Sequence, residues 1–269
     1  MVTARTAGAP ADFERYPLNR RDGAAYRRLL ADCARQLEQR GAAVLEGFVP
    51  PERLGPLLAE VTPALPKAFF KVKAHNPYLV ADDPSLPPDH PRNRKQRTDS
   101  ATVAYDDLPA DSALAALYRD ADFMAFLAEV LGFPALYPYA DRLTPVNLLH
   151  YGPGQSLGWH FDVSTFVVTL LLSAPESGGA FEYVPFLRGP GAENYAQVDR
   201  VLKGEAPDLV QTLKQDPGAL VIFRGSRTLH RVSRIEGEAP RLMAVFSYAP
   251  EPGTRSDPHN MKTFYGRAG

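Results

Sequence analysis

Apolar residues in the first half of the chain recur mostly at helical spacing. Tyr26, Leu29, Leu30, Cys33 and Leu37 fall three or four apart, and Gly41 stands where that helix should stop. The segment AAVLEGFV then reads as a short strand, and Pro50-Pro51 opens a second helix over about Glu52 to Val61. A third helical region runs from Asp111 to Leu131 and ends at Gly132. Between these lies a proline-rich, charged stretch from Asp82 to Arg97 (DDPSLPPDHPRNRKQR), predicted to be a long loop of the kind that covers a site. Residues 1 to about 20, rich in Ala, Arg and Pro, predict a loose arm.

After Gly132 the pattern changes. The segments TPVNLLHY, WHFDV, STFVVTLLLSA, GAFEYVPF, DLVQTL, GALVIFRG, TLHRVSRI and RLMAVFSYAP are short, β-rich and bounded by Gly and Pro. About eight such strands at regular spacing suggest a β-sandwich or barrel. One helical insertion, NYAQVDRVLKG, interrupts them. Helices early and strands late exclude a βαβ alternation. The expected class is α+β: one domain, with N-terminal helices packed on one sheet of a jelly-roll-like core. Its parts are expected at about 1–135 (helical part and lid loop), about 136–250 (β core) and 251–269 (C-terminal tail).

Composition narrows the function. The 269 residues are 45% hydrophobic and 23% charged, enough for a full core without cross-links. Thirty basic against 31 acidic residues leave a net charge of -1, which speaks against general nucleic-acid binding. Cys33 is the single cysteine, so neither an intrachain disulfide nor a cysteine-based zinc site can form. Apolar runs are too short to span a bilayer, and the N-terminus lacks the apolar core of a signal peptide. A cytoplasmic protein that binds neither membrane nor nucleic acid is expected.

The chemistry concentrates in two segments. His160 and Asp162 stand two apart in GWHFDVST, so on an extended chain they face the same way. His230 lies 70 residues further on, in TLHRVS. Two imidazoles and one carboxylate occupy one face of an Fe(II) centre and leave open positions for substrate and oxygen. Of the other histidines, His75, His90 and His259 lie in polar, proline-flanked surroundings and are expected at the surface. Strand alternation places His150 opposite Tyr151, away from the site.

Around these residues the chain resembles the Fe(II)/2-oxoglutarate-dependent oxygenases, which have a double-stranded β-helix (cupin-like) core. HYGPGQSLGWHFD is similar to the superfamily's approach to its first ligands, and PGALVIFRGSRTLHRVSRIEGEAPRLMAVFSY to its second half. The resemblance covers about residues 144 to 250. It implies Fe(II) on His160, Asp162 and His230, with 2-oxoglutarate and O2 as co-substrates. It also implies that Arg241, eleven residues after His230, pairs with the distal carboxylate of 2-oxoglutarate. Arg224, Arg227, Arg231 and Arg234 lack that spacing. Met243 stands where the superfamily commonly has Ser, so Tyr151 is the expected hydroxyl donor to the co-substrate.

GGAFEYVPFLR, ENYAQVDRVL and LVQTL are similar to a subgroup that hydroxylates or halogenates free amino acids. There the halogenases carry Gly or Ala in place of the carboxylate ligand. Here Asp162 is present, so hydroxylation is expected over halogenation. A free amino acid is the expected small-molecule substrate, with Arg97 on its carboxylate and Asp141 on its amine. Leu143 and Val163 imply a less polar substrate side chain, and Ser247, Phe264 and Tyr265 are candidates for a lid. Trp159 is expected to pack in the core; Glu182 and Tyr183 match the subgroup without an evident role. Desaturation or cyclisation at the same iron, and a cupin-like binding protein without oxygen chemistry, remain open alternatives.

Overall fold

The computed structural model describes residues 10–268. The chain runs α1 (Ala24–Arg40), β1 (Ala42–Leu45), α2 (Pro51–Val61), β2 (Phe69–His75) and β3 (Gln96–Val103). Next come α3 (Ala113–Tyr118), α4 (Ala121–Leu131), β4 (Tyr137–Pro138), β5 (Val146–Tyr151) and β6 (Leu157–His160). They are followed by β7 (Val167–Ser173), β8 (Phe181–Val184), α5 (Tyr195–Leu202), β9 (Gln211–Thr212) and β10 (Leu220–Phe223). The chain ends with β11 (Leu229–Val232), β12 (Arg241–Phe246), β13 (Tyr248–Ala249) and α6 (Pro258–Tyr265).

Two antiparallel sheets form the core, as expected of a jelly roll. The larger has the order β1-β10-β7-β12-β5-β3-β2, and the smaller β6-β11-β8-β9. Alternation along β12 separates two environments. Leu242, Ala244 and Phe246 join the main apolar cluster with Phe123, Phe126 and Leu127 of α4 and Tyr26 and Leu37 of α1. Phe123 and Phe246 meet edge to face at 5.9 Å. Arg241 and Met243 point to the other face. Asp120 caps α4 by accepting from the Phe123 N–H, and Gly132 ends it in the left-handed conformation.

Two expectations need correction, and three elements were not anticipated. The predicted arm is packed from residue 11 onward, because Ala11, Tyr16 and Leu18 are buried in the main cluster and the Tyr16 hydroxyl donates to the Glu46 carbonyl; residues 1–9 lie outside the described residues. The β core does not begin near residue 136: β1 pairs with β10, and β3 with β5, so N-terminal strands complete the larger sheet. β2 and β3 themselves escape the hydrophobic pattern. FFKVKAH is an edge strand with mostly exposed side chains, while QRTDSATV buries Thr98, Asp99, Ser100 and Thr102, polar residues that no apolar alternation marks. Lastly, the tail ends in α6, whose Met261 and Tyr265 pack with Ala104 and Leu143.

The stretch 76–95 is indeed a loop, and Gln96 and Arg97 already belong to β3. It does not hang free as a lid. Asn76 and Asn93 each tie its backbone internally, with the Asn93 amide donating to the Asp83 and Leu86 carbonyls. Its outer parts dock on the smaller sheet and α5: Tyr78 packs on Phe161 at 5.3 Å, His90 on Tyr195 at 4.8 Å, and Arg94 pairs with Asp199 at 2.9 Å.

Cys33 sits in the main cluster, and burial pushes its thiol up to about 12. At neutral pH it is therefore a protonated, shielded thiol. A thiol reagent should leave the folded chain unlabelled and modify it once denatured. Rapid labelling of the native protein would show that α1 is not seated as described.

Candidate metal centre

β6 and β11 are neighbours in the smaller sheet, and their register sets His160 directly opposite His230. The two rings lie 4.1 Å apart between centroids. Asp162 follows just beyond the end of β6, where its backbone N–H donates to the Gly225 carbonyl at 3.1 Å. Its Oδ1 stands 3.4 Å from His160 Nε2 and 3.5 Å from His230 Nε2. Ligands 2.0–2.2 Å from one ion and at right angles stand about 3 Å apart. These three atoms are therefore spaced to hold a single metal ion after small adjustments.

Both imidazoles are oriented for this. His160 Nδ1–H donates to the Gly158 carbonyl, and His230 Nδ1–H to the Thr228 carbonyl, each at 2.9 Å. A carbonyl can only accept, so Nδ1 carries the proton and Nε2 turns its lone pair towards Asp162. Burial and the adjacent His230 lower the His160 pKa. Burial raises that of Asp162, but His230 and His160 outweigh it and hold the carboxyl well below its usual range. With each Nδ1 engaged by a backbone carbonyl, the two Nε2 atoms and the Asp162 carboxylate are the atoms left to bind a metal, which requires them deprotonated. Phe223 and Phe181 wall His230 at 4.8 and 5.5 Å.

Gly225 is needed beside the carboxylate. A Cβ built there collides with Asp162 Oδ2 and Cγ, so no larger residue fits without displacing the ligand.

Arg241 is 3% exposed, and its Nε and Nη2 have no hydrogen-bond partner. β12 pairs with β5 in a register that sets Arg241 opposite Tyr151. Burial pushes the guanidinium down to about 10, with Tyr151 opposing, so it stays cationic at neutral pH. Burial also raises Tyr151, whose hydroxyl feels Arg241 on one side and Asp162 on the other. A sealed cation with two unused donors is costly unless an anion joins it.

The expected substrate residues are less well gathered. Arg97 is largely solvent-exposed and spends Nε on Asp99 Oδ2 at 3.0 Å. Asp141 is committed to the backbone, which overturns its expected amine-binding role: Oδ1 accepts from the Leu143 and Thr144 N–H groups, and Oδ2 from that of Ser256. The Ser247 backbone bridges Pro145 and Tyr118. Tyr265 staples α6 to β5 through Asn147 Oδ1 at 2.9 Å, and half-exposed Phe264 lies under the Lys71 ammonium at 3.8 Å. Trp159 packs in a core cluster as expected, with the Arg231 guanidinium over its ring at 4.8 Å. Glu182 finds its role in holding that arginine, at 2.5 Å. Tyr183 packs with Leu213 and Phe223.

One histidine was misjudged. His75 is buried, not on the surface, and its ring meets that of His160 edge-on at 5.9 Å. Burial lowers its pKa to about 4, so it is neutral. The alternation FFKVKAH carries it, but nothing local says that β2 ends beside β6.

The fold has counterparts among known structures. An oxidoreductase of the 2OG-Fe(II) oxygenase family from Burkholderia pseudomallei superposes with a TM-score of 0.54 at 16% identity, over 84% of this chain and 93% of that one. The non-heme α-ketoglutarate-dependent epimerase SnoN of nogalamycin biosynthesis gives 0.57 at 16%, over 86% and 91%. HygX from Streptomyces hygroscopicus, with nickel, 2-oxoglutarate and hygromycin B bound, gives 0.55 at 16%, over 82% and 87%. The fold is thus the jelly roll of the 2-oxoglutarate oxygenases. Within that class, the family model described as Halogenase D matches residues 90–265, and the chain belongs to this family. No curated protein matches it. Among the described residues no helix is long and apolar enough to cross a membrane.

Gly225→Ala should weaken metal binding by about 10–100-fold, the usual cost of disturbing a ligand's support. Titration with Co(II) reads this directly, and native affinity in the variant would show that Asp162 does not need its present position.

Proposed function

We propose that the protein is a 2-oxoglutarate-dependent non-haem iron oxygenase that oxidises an unactivated C–H bond of a free amino acid or similar small carboxylate, releasing succinate and CO2. The observation that carries this reading is the pairing of two features in one interior. His160, Asp162 and His230 offer ligand atoms within 4.8 Å of one another, and Arg241 offers a buried, unpaired guanidinium. An Fe(II) ion on the triad supplies activation of O2 for attack on C–H bonds.

The chain's own contributions follow from its geometry. His160, Asp162 and His230 would hold the ion with three protein atoms, which would leave coordination positions for co-substrate and oxygen. Arg241 takes the distal carboxylate of 2-oxoglutarate as a planar, charge-assisted pair, and that anion meets the two unused donors. Tyr151, opposite Arg241 in the sheet register, is the candidate hydroxyl donor to the co-substrate. The apolar wall of Phe181 and Phe223 keeps water from one side of the site. Arg97, with its outer nitrogens free of Asp99, is the candidate anchor for a substrate carboxylate; Phe264 and Tyr265 on α6 are candidates for its cover.

Hydroxylation is the reading that Asp162 favours, since a carboxylate fills the position that a halide would take. Halogenation is the second reading, favoured by the description of the family to which the chain belongs. Asp162→Gly separates them. With Asp162 as ligand, the native protein yields halogen-free product even in excess chloride, and the variant loses most succinate formation. Chlorinated product from the native chain, identified by mass, would overturn the hydroxylase reading.

Arg241→Lys keeps a cation but loses the fork, so 2-oxoglutarate should raise the melting temperature of the native chain and much less that of the variant. Metal affinity should be unchanged. Equal stabilisation of both proteins would assign the distal carboxylate to another residue.

A further inference from the structure

We infer that His75 and Thr98 are positioning residues that hold His160 in its metal-facing tautomer and orientation, an inference that rests on reading the triad as a metal centre. The two lie on β2 and β3, outside every motif that marks the site. Their hydrogen bonds with Gly158 form one chain, and the nature of each partner fixes its direction. His75 Nδ1 lies 3.1 Å from the Asn76 carbonyl, which can only accept, so Nδ1 carries the proton. In the neutral ring Nε2 is then bare, and it accepts from the Thr98 hydroxyl at 2.8 Å. The single hydroxyl proton is thereby used, and a Thr98 lone pair accepts from the Gly158 N–H at 3.0 Å. Gly158 in turn offers its carbonyl to His160 Nδ1–H at 2.9 Å. The chain ends at His160 Nε2, whose lone pair faces Asp162.

Sterics point the same way. A Cβ on Gly158 would stand 2.7 Å from the Arg97 carbonyl and 2.8 Å from Gln96 Cβ, so β3 lies hard against this glycine. Asp99 bridges to Ser156 alongside. The residue whose carbonyl orients His160 is therefore clamped from β3 at its own N–H and Cα, and the His75 ring packs edge-on against the His160 ring at 5.9 Å. His230 is supported differently: its orienting carbonyl belongs to Thr228, whose N–H donates to the Gly225 carbonyl at 3.4 Å and whose hydroxyl is buried without a partner, and Phe181 and Phe223 flank its ring. The two imidazoles are thus held by different means, and His160 is the one backed by β2 and β3.

Thr98→Val removes the hydroxyl while keeping volume, Thr98→Ser keeps the hydroxyl, and His75→Phe keeps an edge-on ring without its hydrogen bonds. Co(II) titration of the purified protein, followed by visible absorption, reads affinity and ligand geometry without turnover; melting of the metal-free protein reads the fold. Thr98→Val and His75→Phe should each weaken Co(II) binding by about 10–100-fold and alter the bound spectrum. Thr98→Ser should bind as the native chain does. The Thr98→Val/His75→Phe double variant should lose less than the product of the two single losses, because one chain is cut twice. Native affinity and spectrum in Thr98→Val, or in His75→Phe should Thr98→Val not fold, would overturn the inference. So would a Thr98→Ser variant as weak as Thr98→Val. Failure of the native chain to bind Co(II), or undiminished binding by Asp162→Ala, would instead overturn the metal-centre reading on which the inference rests.

Discussion

The interior between the two sheets is organised around charge that the protein does not neutralise by itself. Arg241 is sealed at 3% exposure with Nε and Nη2 unpaired, and Asp162 lies beside the Nε2 atoms of two imidazoles. Each is expensive to bury alone. Neither would persist unless the surrounding packing over-determined it, and the main cluster behind β12 contributes: Leu242, Ala244 and Phe246 anchor the strand against the helices, so Arg241 alternates to the other face. The guanidinium and the triad are both built for groups of opposite charge that the polypeptide does not supply.

Strand register turns this constraint into geometry. His160 and His230 face each other because β6 and β11 pair at that point, and Arg241 faces Tyr151 because β12 pairs with β5. A one-residue slip in either pair would carry the functional side chains to the opposite face. Gly225 completes the arrangement by clearing room beside Asp162, where any Cβ would collide with the carboxylate. Catalytic precision here is therefore a property of backbone pairing more than of individual side-chain contacts.

The N-terminal part does more than cover a sheet. β2 and β3 run from the larger sheet, where Val103 pairs with Leu148, to the edge of the smaller one, where Asp99 bridges to Ser156. That span carries buried polar side chains, and it brings His75 and Thr98 to the back of His160. The loop that follows β2 is spent on structure, pinned by Asn76 and Asn93 and docked on α5. The chain belongs to the Halogenase D family and carries a carboxylate, Asp162, in one grouping with His160 and His230.

Much of this was legible in the residues alone. Period-3.6 spacing marked α1 and α4, and Gly41 and Gly132 marked their ends through left-handed backbone. Short β-rich runs marked the jelly roll and strand parity set His160 and Asp162 on one side; Arg241 was singled out by the resemblance to the 2-oxoglutarate oxygenases and not by periodicity. The residues did not reveal β2 and β3, because β2 turns its apolar positions Phe70 and Val72 to solvent and β3 buries hydroxyls, so apolar patterning marks a core face in neither. They misplaced His75 among surface groups and Asp141 in a substrate site, because burial and hydrogen-bond partners depend on distant segments: β6 for the one, Ser256 for the other. Local sequence determined the elements and the ligand types. Only the tertiary structure decided which polar groups were already satisfied and which were left waiting, since a hydrogen bond is spent or free according to what folding brings within about 3 Å of it.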